Sequence, residues 1–456
     1  MHFIAKNDDA GAQKWENASS LKTHLHPQMD TTQRPLVMQR WNCIQYEIIP
    51  DLIEEVGVLT PKLLKVIHIL EWVRIEEFVR STWNGIGRPP HDRQMLASAF
   101  VAKTVLGIKT TVGLIERLTI DKALRRICGF PRFKKLPSEG CFSRAFAEFA
   151  EDNLAERAHE SLVKEHLGDS LIGHISRDGT AIEAREKPKK SEAEDKVKST
   201  ENADLITAAE ATESIKLANT KVETVAPVAA KADLAKVDIV ETVASQNSTL
   251  PTSAVKAKGA KSKPGRKKKS TSEPPQPKRI EVQVQQTLPQ MLREISTGCD
   301  RGTKCNAQGY KVSWNGYKLH IDTADCGVAI SALLSSASMH DSQAAIPLSL
   351  MTAERVTSCY DLMDAAYCSE TLREHSRSLG HVPLIDHNPR RGEKKEFAPH
   401  EAERYKERTQ AERTNARLKD EFGGNDIWVR GHEKVNLHLM FGLLALTADQ
   451  LMRLLT

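Results

Sequence analysis

Apolar residues recur every three or four positions between residues 41 and 170, which is the spacing of amphipathic helices. In "PPHDRQMLASAFVAKTVLGI", Asp92 stands near an N-cap position ahead of such a run. Four apolar side chains of that run share one helix face: Met95, Ala99, Ala102 and Leu106. The segment "LPSEGCFSRAFAEFAEDNL" repeats the pattern, with Ser138 as N-cap and three phenylalanines on one side. The pattern predicts an all-helical N-terminal domain over residues 41–170.

After residue 170 the pattern changes to short strand-like runs that alternate with helical ones. The predicted order is strand, hairpin of two strands, helix, strand, helix, strand and helix. The segments are, in that order: "LIGHISRDGTAIEA", "WNGYKLHIDTADCGVAISALLSSA", "HDSQAAIPLSLMTAE", "SCYDLMDAAY", "SETLREHSRSLG", "HVPLIDHNP" and "YKERTQAERTNARLK". We expect the hairpin to turn near Asp325 to Gly327, and Asp341 or Ser342 to cap the first of these helices. The order predicts an α/β domain with a mixed sheet flanked by helices, built from residues 171–186 and 300–430.

The last predicted helix, Tyr405 to Lys419, carries polar residues on a narrow arc. At about 100° per residue, four side chains fall within about 60° of one another: Tyr405, Arg408, Glu412 and Lys419. A separate apolar stripe of Ala411, Leu418 and Phe422 would dock the helix on a core. A solvated charged face explains the arc equally well, so the helix by itself decides nothing.

The two ends of the chain have contrasting compositions. Residues 1–40 are polar and aperiodic, which predicts a flexible arm, and acids in "MHFIAKNDDAGAQKWENASS" argue against an export signal. Near the other end, "VNLHLMFGLLALTADQLMRLL" is apolar, but three polar residues interrupt it: His438, Asp449 and Arg453. It is therefore predicted to be a buried packing helix over 431–456 and not a membrane span. We expect a cytoplasmic protein with no membrane partner.

Residues 187–299 contain a stretch rich in Lys, Glu, Ala, Ser, Thr, Val and Pro, with no aromatic residue between 187 and 290. Such a composition predicts a disordered insertion after the first strand of the sheet. Residues 256–279 hold 10 bases and one acid, including a run of four cations: Arg266, Lys267, Lys268 and Lys269. A cationic flexible segment suits sequence-independent binding of nucleic acid, and a solubilising linker is the alternative. The formal net charge of +5 is too small to choose between them.

A second basic segment lies between two predicted helices, in "TIDKALRRICGFPRFKKLPSEG". Its five cations are Arg125, Arg126, Arg132, Lys134 and Lys135. Bases on a turn-rich segment suit contact with DNA phosphates, and a solvated loop is the alternative.

The eight cysteines form no Cys-x-x-Cys pair, which favours reduced thiols over a disulfide framework. One zinc site is conceivable from four residues: Cys299, Cys305, His320 and His340.

Two aspartates accompany the last helix: Asp178 in "SRDGT" and Asp364 in "LMDAAY". Each could be structural, because aspartates are common in turns and helix caps. In the predicted sheet, however, the first and fourth strands can be adjacent, and the closing helix can place Glu412 over their ends. Three carboxylates at one point repel one another unless they are protonated or share cations, so such a cluster implies a hard divalent metal such as Mg²⁺. The arrangement predicts two-metal phosphoryl transfer.

With "DGT" at 178–180, "DAAY" at 364–367 and the spacing of the arc, the sequence resembles the insertion-sequence DDE transposases, which have a ribonuclease-H-like core and a Tyr-Arg-Glu-Lys signature. The resemblance covers about 41–186 and 300–456. It implies that Asp178, Asp364 and Glu412 are catalytic and bind two Mg²⁺ ions, with Mn²⁺ as an alternative. It further implies phosphate contacts from the rest of the arc and, more weakly, from Lys318 in "GYKLH".

The function expected from this resemblance is DNA transposition in a bacterial, nucleoid-associated setting. Water would cut the DNA at the element's end, and the freed 3′-hydroxyl would attack target DNA, with a homodimer pairing two ends. A repressor that has lost catalysis and a metal-dependent nuclease with the same core are the alternatives. Some relatives carry a large β insertion before the Glu helix, whereas about fifteen residues separate Asn388 from Tyr405 here. The route by which cleaved ends are handled therefore stays open.

Overall fold

The structure is a computed structural model that describes residues 42–80, 90–188, 277–305, 308–389, 393 and 395–455. The predicted arm over 1–40 lies outside the described residues. So does the basic run of Arg266, Lys267, Lys268 and Lys269. The described residues belong to one compact unit.

The described residues of 42–80 and 90–167 are mainly helical, as the apolar spacing predicts. A π-helical turn, Ile44–Ile48, precedes seven helices: α1 Ile49–Val56, α2 Pro61–Val73, α3 Arg93–Val105, α4 Thr111–Ile120, α5 Lys122–Ile127, α6 Glu139–Glu151 and α7 Leu154–Leu167. The predicted caps stand where expected. Asp92 accepts a hydrogen bond from the Gln94 amide at the start of α3, and Ser138 occupies the N-cap position of α6 without a side-chain cap bond.

A six-stranded mixed sheet follows, with helices against it. Its strands are β1 Leu171–Glu183, β2 Asp300–Cys305, β3 Lys311–Ala324, β4 Ala329–Ser336, β5 Thr357–Met363 and β6 Val382–Ile385. The order is β2-β3-β1-β5-β6, and β4 also pairs with β3. β1 runs antiparallel to β3 and parallel to β5. The predicted adjacency of the first strand to the strand before Asp364 is therefore confirmed.

The sequence pattern identifies five of these strands and misses β2. That strand has the sequence "DRGTKC", and of its residues only Gly302 is buried. It lies at the edge of the sheet beside β3, where alternation of apolar and polar residues is not required. Gly302 allows close approach of Trp314, since a Cβ there would lie 2.4 Å from the indole ring. β2 is thus defined by its partner strand and not by its own pattern.

The prediction of disorder throughout 187–299 is wrong for residues 277–299. Two short helices form there, α8 Arg279–Gln283 and α9 Leu288–Glu294. Met291 of α9 is buried in a small core with residues of the next helix, α10 Ser342–Ala353. Ile280 of α8 packs against the same core. These contacts form only in the folded chain, which is why composition alone does not reveal them.

The remaining helices are α11 Glu370–Ser378, α12 Pro399–Tyr405, α13 Thr409–Glu421 and α14 His432–Leu455. α14 packs against α2, α3, α6 and α7 of the helical region and also against β4 and α13. Among the described residues it is the one helix long and apolar enough to cross a membrane, yet 83% of its apolar segment is buried inside the protein. The predicted buried packing helix is confirmed. Its polar residues have partners: Thr447 contacts His159, and Asp449 pairs with Lys65 and Arg417.

Candidate active site

The candidate site lies at the C-terminal end of β5, where the neighbouring strand β1 continues. The last parallel pair in the register is Arg177 with Met363, so Asp178 and Asp364 are the next residues of the two strands. β1 extends to Glu183, whereas Asp364 turns the chain into a short 3₁₀ helix, Ala365–Tyr367, by accepting a hydrogen bond from the Ala366 amide. Neighbouring strands lie about 5 Å apart, so the two aspartates stand side by side just after the last paired residues of β1 and β5.

The residues of the polar arc lie beside these two aspartates, on a segment that is less regular than the predicted helix. A 3₁₀ turn, Lys406–Arg408, separates α12 from α13, so Tyr405 to Lys419 is not one continuous helix. At this turn the Ser176 hydroxyl of β1 donates to the Glu407 carbonyl. A side chain that binds a backbone carbonyl of a helix competes with the helical hydrogen bond there and favours a local 3₁₀ turn. The predicted apolar stripe of Ala411, Leu418 and Phe422 is buried.

Arg408 lies among the three predicted acids. Its Nη1 is 2.6 Å from Glu412 Oε1, and its Nη2 is 3.5 Å from Asp178 Oδ1 and 4.0 Å from Asp364 Oδ2. The Asp178 and Asp364 oxygens therefore cannot be farther apart than the sum of the last two distances. The structure brings these carboxylates together around one guanidinium.

The pKa of Asp178, the central acid of the cluster, is raised by burial and in part by the nearby negative charges. Burial raises the pKa of Asp178 to about 6; the Arg408 charge opposes this, while Asp364, Asp341 and Glu412 add to it. Burial also raises the pKa of Asp364, against the hydrogen bond from the Ala366 amide and the charge of Arg408. A single guanidinium does not compensate this cluster fully, so further positive charge would be stabilised here.

Asn415 is a site residue that the sequence pattern did not single out. Its Nδ2 donates to Asp178 Oδ2 over 2.9 Å, and the side chain is buried. The signal was present, because Asn415 follows Glu412 by three positions and therefore shares its helix face. It fixes the Asp178 carboxylate in one orientation.

Asp341 is a fourth acid near the cluster. It occupies the predicted N-cap position of α10 but makes no side-chain cap bond. Instead its Oδ1 lies 2.9 Å from Lys318 Nζ. It also lies against Gly179, where a Cβ would stand 3.1 Å from that oxygen. Lys318 further donates to the Met339 carbonyl, so in this structure it supports the site from within the protein.

The other two residues of the arc also border the cluster. The Tyr405 hydroxyl donates to the carbonyl of Met363, the residue before Asp364, over 3.1 Å. Burial raises its pKa to about 12. Lys419 is half-buried, and its pKa is lowered by burial and by Lys304, against the charges of Glu183 and Asp178. Tyr405 and Arg408 thus contact residues at the end of β5, and Lys419 lies near acids of β1.

The donor chemistry fits a hard divalent cation better than a soft one. Carboxylate and amide oxygens are the ligands that Mg²⁺ prefers, and the crowded acids supply them. In the parts of the chain that the structure describes, no three His, Cys, Asp or Glu side chains are grouped as a ready metal site. At this cluster the Arg408 guanidinium lies within 4.0 Å of an oxygen of each of the three carboxylates.

The alternative zinc site is wrong. Cys299 immediately precedes the extended strand β2, and Cys305 is its last residue. At about 3.3 Å per residue, the two cysteines are about 20 Å apart. Cys299 donates to the Glu186 carbonyl. His320 and His340 contact Ser335 and Ser342 respectively.

The five bases of the predicted DNA-binding turn are in two situations. The Arg125 guanidinium donates to the carbonyls of Pro131 and Lys134, so it stabilises the turn itself. Arg126 pairs with Glu55 over 2.7 Å. The other three side chains, Arg132, Lys134 and Lys135, are exposed.

The fold is a mixed sheet with flanking helices and an N-terminal helical region, with acids grouped beside the end of β5. These features fit the class of DDE-type transposases. Comparison with protein-family models agrees with this. Residues 284–448 match the model described as "Transposase DDE domain", and residues 57–148 match "Transposase domain (DUF772)". The chain belongs to the insertion-sequence transposases of the DDE type. Searches of curated proteins and of solved structures each returned no match.

Membership of this family indicates the general function of the protein. The family acts in DNA transposition and in mobile elements. It binds DNA and generally uses divalent metal ions. The DDE model covers Asp364 and Glu412, whereas Asp178 precedes the matched range.

Proposed function

We propose that this transposase cuts DNA at the ends of its insertion sequence and joins the freed 3′-hydroxyl to target DNA, using one active site built on Asp178, Asp364 and Glu412. The observation that carries the proposal is the convergence of these three carboxylates on the Arg408 guanidinium. The order of β1, β3, β5 and β6 in the sheet supports a ribonuclease-H-like core.

The three acids would hold two Mg²⁺ ions, or Mn²⁺ in their place. Divalent cations there would supply Lewis acidity for the attacking and leaving oxygens. Asp178 is held by Asn415 and Asp364 by the Ala366 amide, so two of the acids are fixed before ligands arrive. Glu412 is 58% exposed in its side chain, and it is the acid free to adjust to its ligand.

The basic residues of the arc would orient the DNA strand. A guanidinium grips a phosphate through two parallel hydrogen bonds, and an ammonium acts as a point charge. Once its carboxylate partners take up cations, Arg408 is released to contact a phosphate, with Lys419 beside it. The Tyr405 hydroxyl, bonded to the Met363 carbonyl, holds the turn in register with β5.

Two copies of the chain would pair the two ends of the element. We place this activity in the bacterial cytoplasm, at the nucleoid. The basic residues of the insertion and of the turn near Arg132 would hold DNA outside the active site by charge.

The test uses purified full-length protein, Mg²⁺ and DNA taken from the flanks of the coding region. Wild type should produce nicked ends and strand-transfer products, and Asp364→Asn and Glu412→Gln should produce neither while still binding DNA. Glu421→Gln is the matched control, because Glu421 lies on the same helix and pairs with Arg417 away from the acids. It should cut like wild type.

Equal cutting by wild type and Asp364→Asn would refute the proposal. Binding without any cutting by wild type would favour the silent DNA-binding alternative. Cutting without strand transfer would favour the nuclease.

A further inference from the structure

A phenylalanine stands almost fully in solvent on the basic turn between α5 and α6. Phe133 is 92% exposed, whereas Phe130, three residues earlier, is buried in the core. The neighbours of Phe133 along the chain are the exposed cations Arg132, Lys134 and Lys135. Single exposed apolar residues are common on protein surfaces, so exposure alone assigns no role to this ring.

The turn is built to hold this ring outward. One guanidinium, that of Arg125, donates to the Pro131 carbonyl over 2.7 and 3.0 Å and also to the Lys134 carbonyl. These two carbonyls lie on either side of Phe133 in the chain. A charged donor that binds both fixes the backbone of the turn. The ring is therefore presented on a restrained support and does not sit on a loose loop.

The surface beside the ring is positively charged. A cleft of about 460 Å³ is lined by Phe130, Phe133 and four bases, together with Glu55, Val56 and Thr119. The four bases are Lys122, Arg125, Arg126 and Arg132. Glu55 is the acid among these lining residues, and Arg126 neutralises it. The Arg132 guanidinium carbon lies 5.5 Å from the centre of the Phe133 ring.

Exposed cations around a presented aromatic ring complement a nucleic acid, whose bases offer flat faces and whose backbone offers phosphates. An acidic protein surface would satisfy the cations but would give the ring no stacking partner. We infer that Phe133 stacks on an unpaired or unstacked DNA base, while Arg132, Lys134 and Lys135 bind the flanking phosphates. This rests on the proposed action on DNA and adds to it a preference for distorted DNA.

The experiment measures binding of the full-length protein to two fluorescent DNAs, a short paired duplex and the same duplex with a central unpaired bubble. Wild type should bind the bubble more tightly than the duplex. Phe133→Ala should weaken bubble binding by about tenfold, as loss of one stacked base does, and should remove the preference. Phe133→Trp should retain it.

Two further variants separate stacking from charge and from general loss of apolar surface. Lys134→Ala should weaken both DNAs alike and lower the dependence of affinity on salt, whereas Phe133→Ala should leave that dependence unchanged. Val58→Ala is the matched control, since Val58 is an apolar residue of the same helical region that is 94% exposed. It should behave like wild type.

Equal affinity of wild type and Phe133→Ala for the bubble would overturn the inference and leave the proposed function intact. Failure of wild type to bind either DNA would instead count against the proposed function. Sedimentation of both proteins provides a third outcome. Dissociation of a wild-type dimer by Phe133→Ala would assign the ring to a contact between two copies of the chain and would also overturn the inference.

Discussion

Replacement of Asp178 by asparagine should stabilise the protein at neutral pH, although it removes an acid that we assign to catalysis. Burial and the neighbouring acids raise the pKa of Asp178 from its ordinary value of 3.8 to about 6 in the folded chain. The folded state therefore binds more protons than the unfolded state between those two values. The contribution of Asp178 to stability is therefore greatest below pH 4 and is lost as the pH rises through 6, because the carboxylate must then ionise in an unfavourable place.

The magnitude follows from the difference between the two pKa values. At about 1.4 kcal/mol for each pH unit, the ionised Asp178 carboxylate costs about 3 kcal/mol of folding stability at pH 8. An asparagine side chain at this position carries no charge, and its carbonyl oxygen can still accept the hydrogen bond from Asn415. Asp178→Asn should therefore be more stable than wild type by up to about 3 kcal/mol at pH 8 and nearly equal to it at pH 4.

Urea unfolding in EDTA at pH 8 and pH 4 measures both quantities without competing cations. Asp361→Asn is the control with the opposite sign. Asp361 is also buried, but hydrogen bonds from His381 and Ser376, with the charge of Arg177, lower its pKa despite burial. Its replacement should destabilise the protein at pH 8. If Asp178→Asn is less stable than wild type at pH 8, the reasoning about crowded charge is refuted.

Three other variants test separate parts of the structure. Arg177→Leu leaves the buried Asp322 carboxylate without its cation, so we expect a loss of about 3–5 kcal/mol in urea unfolding. Gly442→Ala places a Cβ 2.7 Å from the Phe422 carbonyl where α13 crosses α14, and the free energy of unfolding should fall by about 2 kcal/mol. Asn415→Ala frees the Asp178 carboxylate, and end cleavage should slow by about ten- to a hundredfold with unchanged DNA affinity.

Each of these three predictions has a result that would contradict it. Gly140→Ala is the control for Gly442→Ala, because a Cβ at Gly140 meets only a flexible arginine tip at 3.8 Å. Equal stability of the two alanine variants would show that α13 and α14 are not tightly packed at that point. A wild-type cleavage rate in Asn415→Ala would remove the amide from the active site. Full stability of Arg177→Leu would mean that Asp322 is neutral in the folded protein.

The sequence by itself determined the local elements of this protein. Periodicity of three to four gave the helices of 42–167, because a helix with one buried face records that face in its own residues. Short strand-like runs between helical segments gave five of the six strands. The same holds for the stripe of Ala411, Leu418 and Phe422, which is buried. The spacing of the arc predicted that Tyr405, Arg408, Glu412 and Lys419 share one side of the chain.

Only the tertiary structure decided what that side faces. The register of Arg177 with Met363 sets Asp178 beside Asp364, and it depends on residues nearly two hundred positions apart. The same folding puts Arg408 between the acids, recruits Asn415, and reveals β2 and the helices of 277–299. These features arise from partners distant in the chain. A side chain's partner across a sheet depends on how strands pair, and no local pattern of hydrophobicity encodes that pairing.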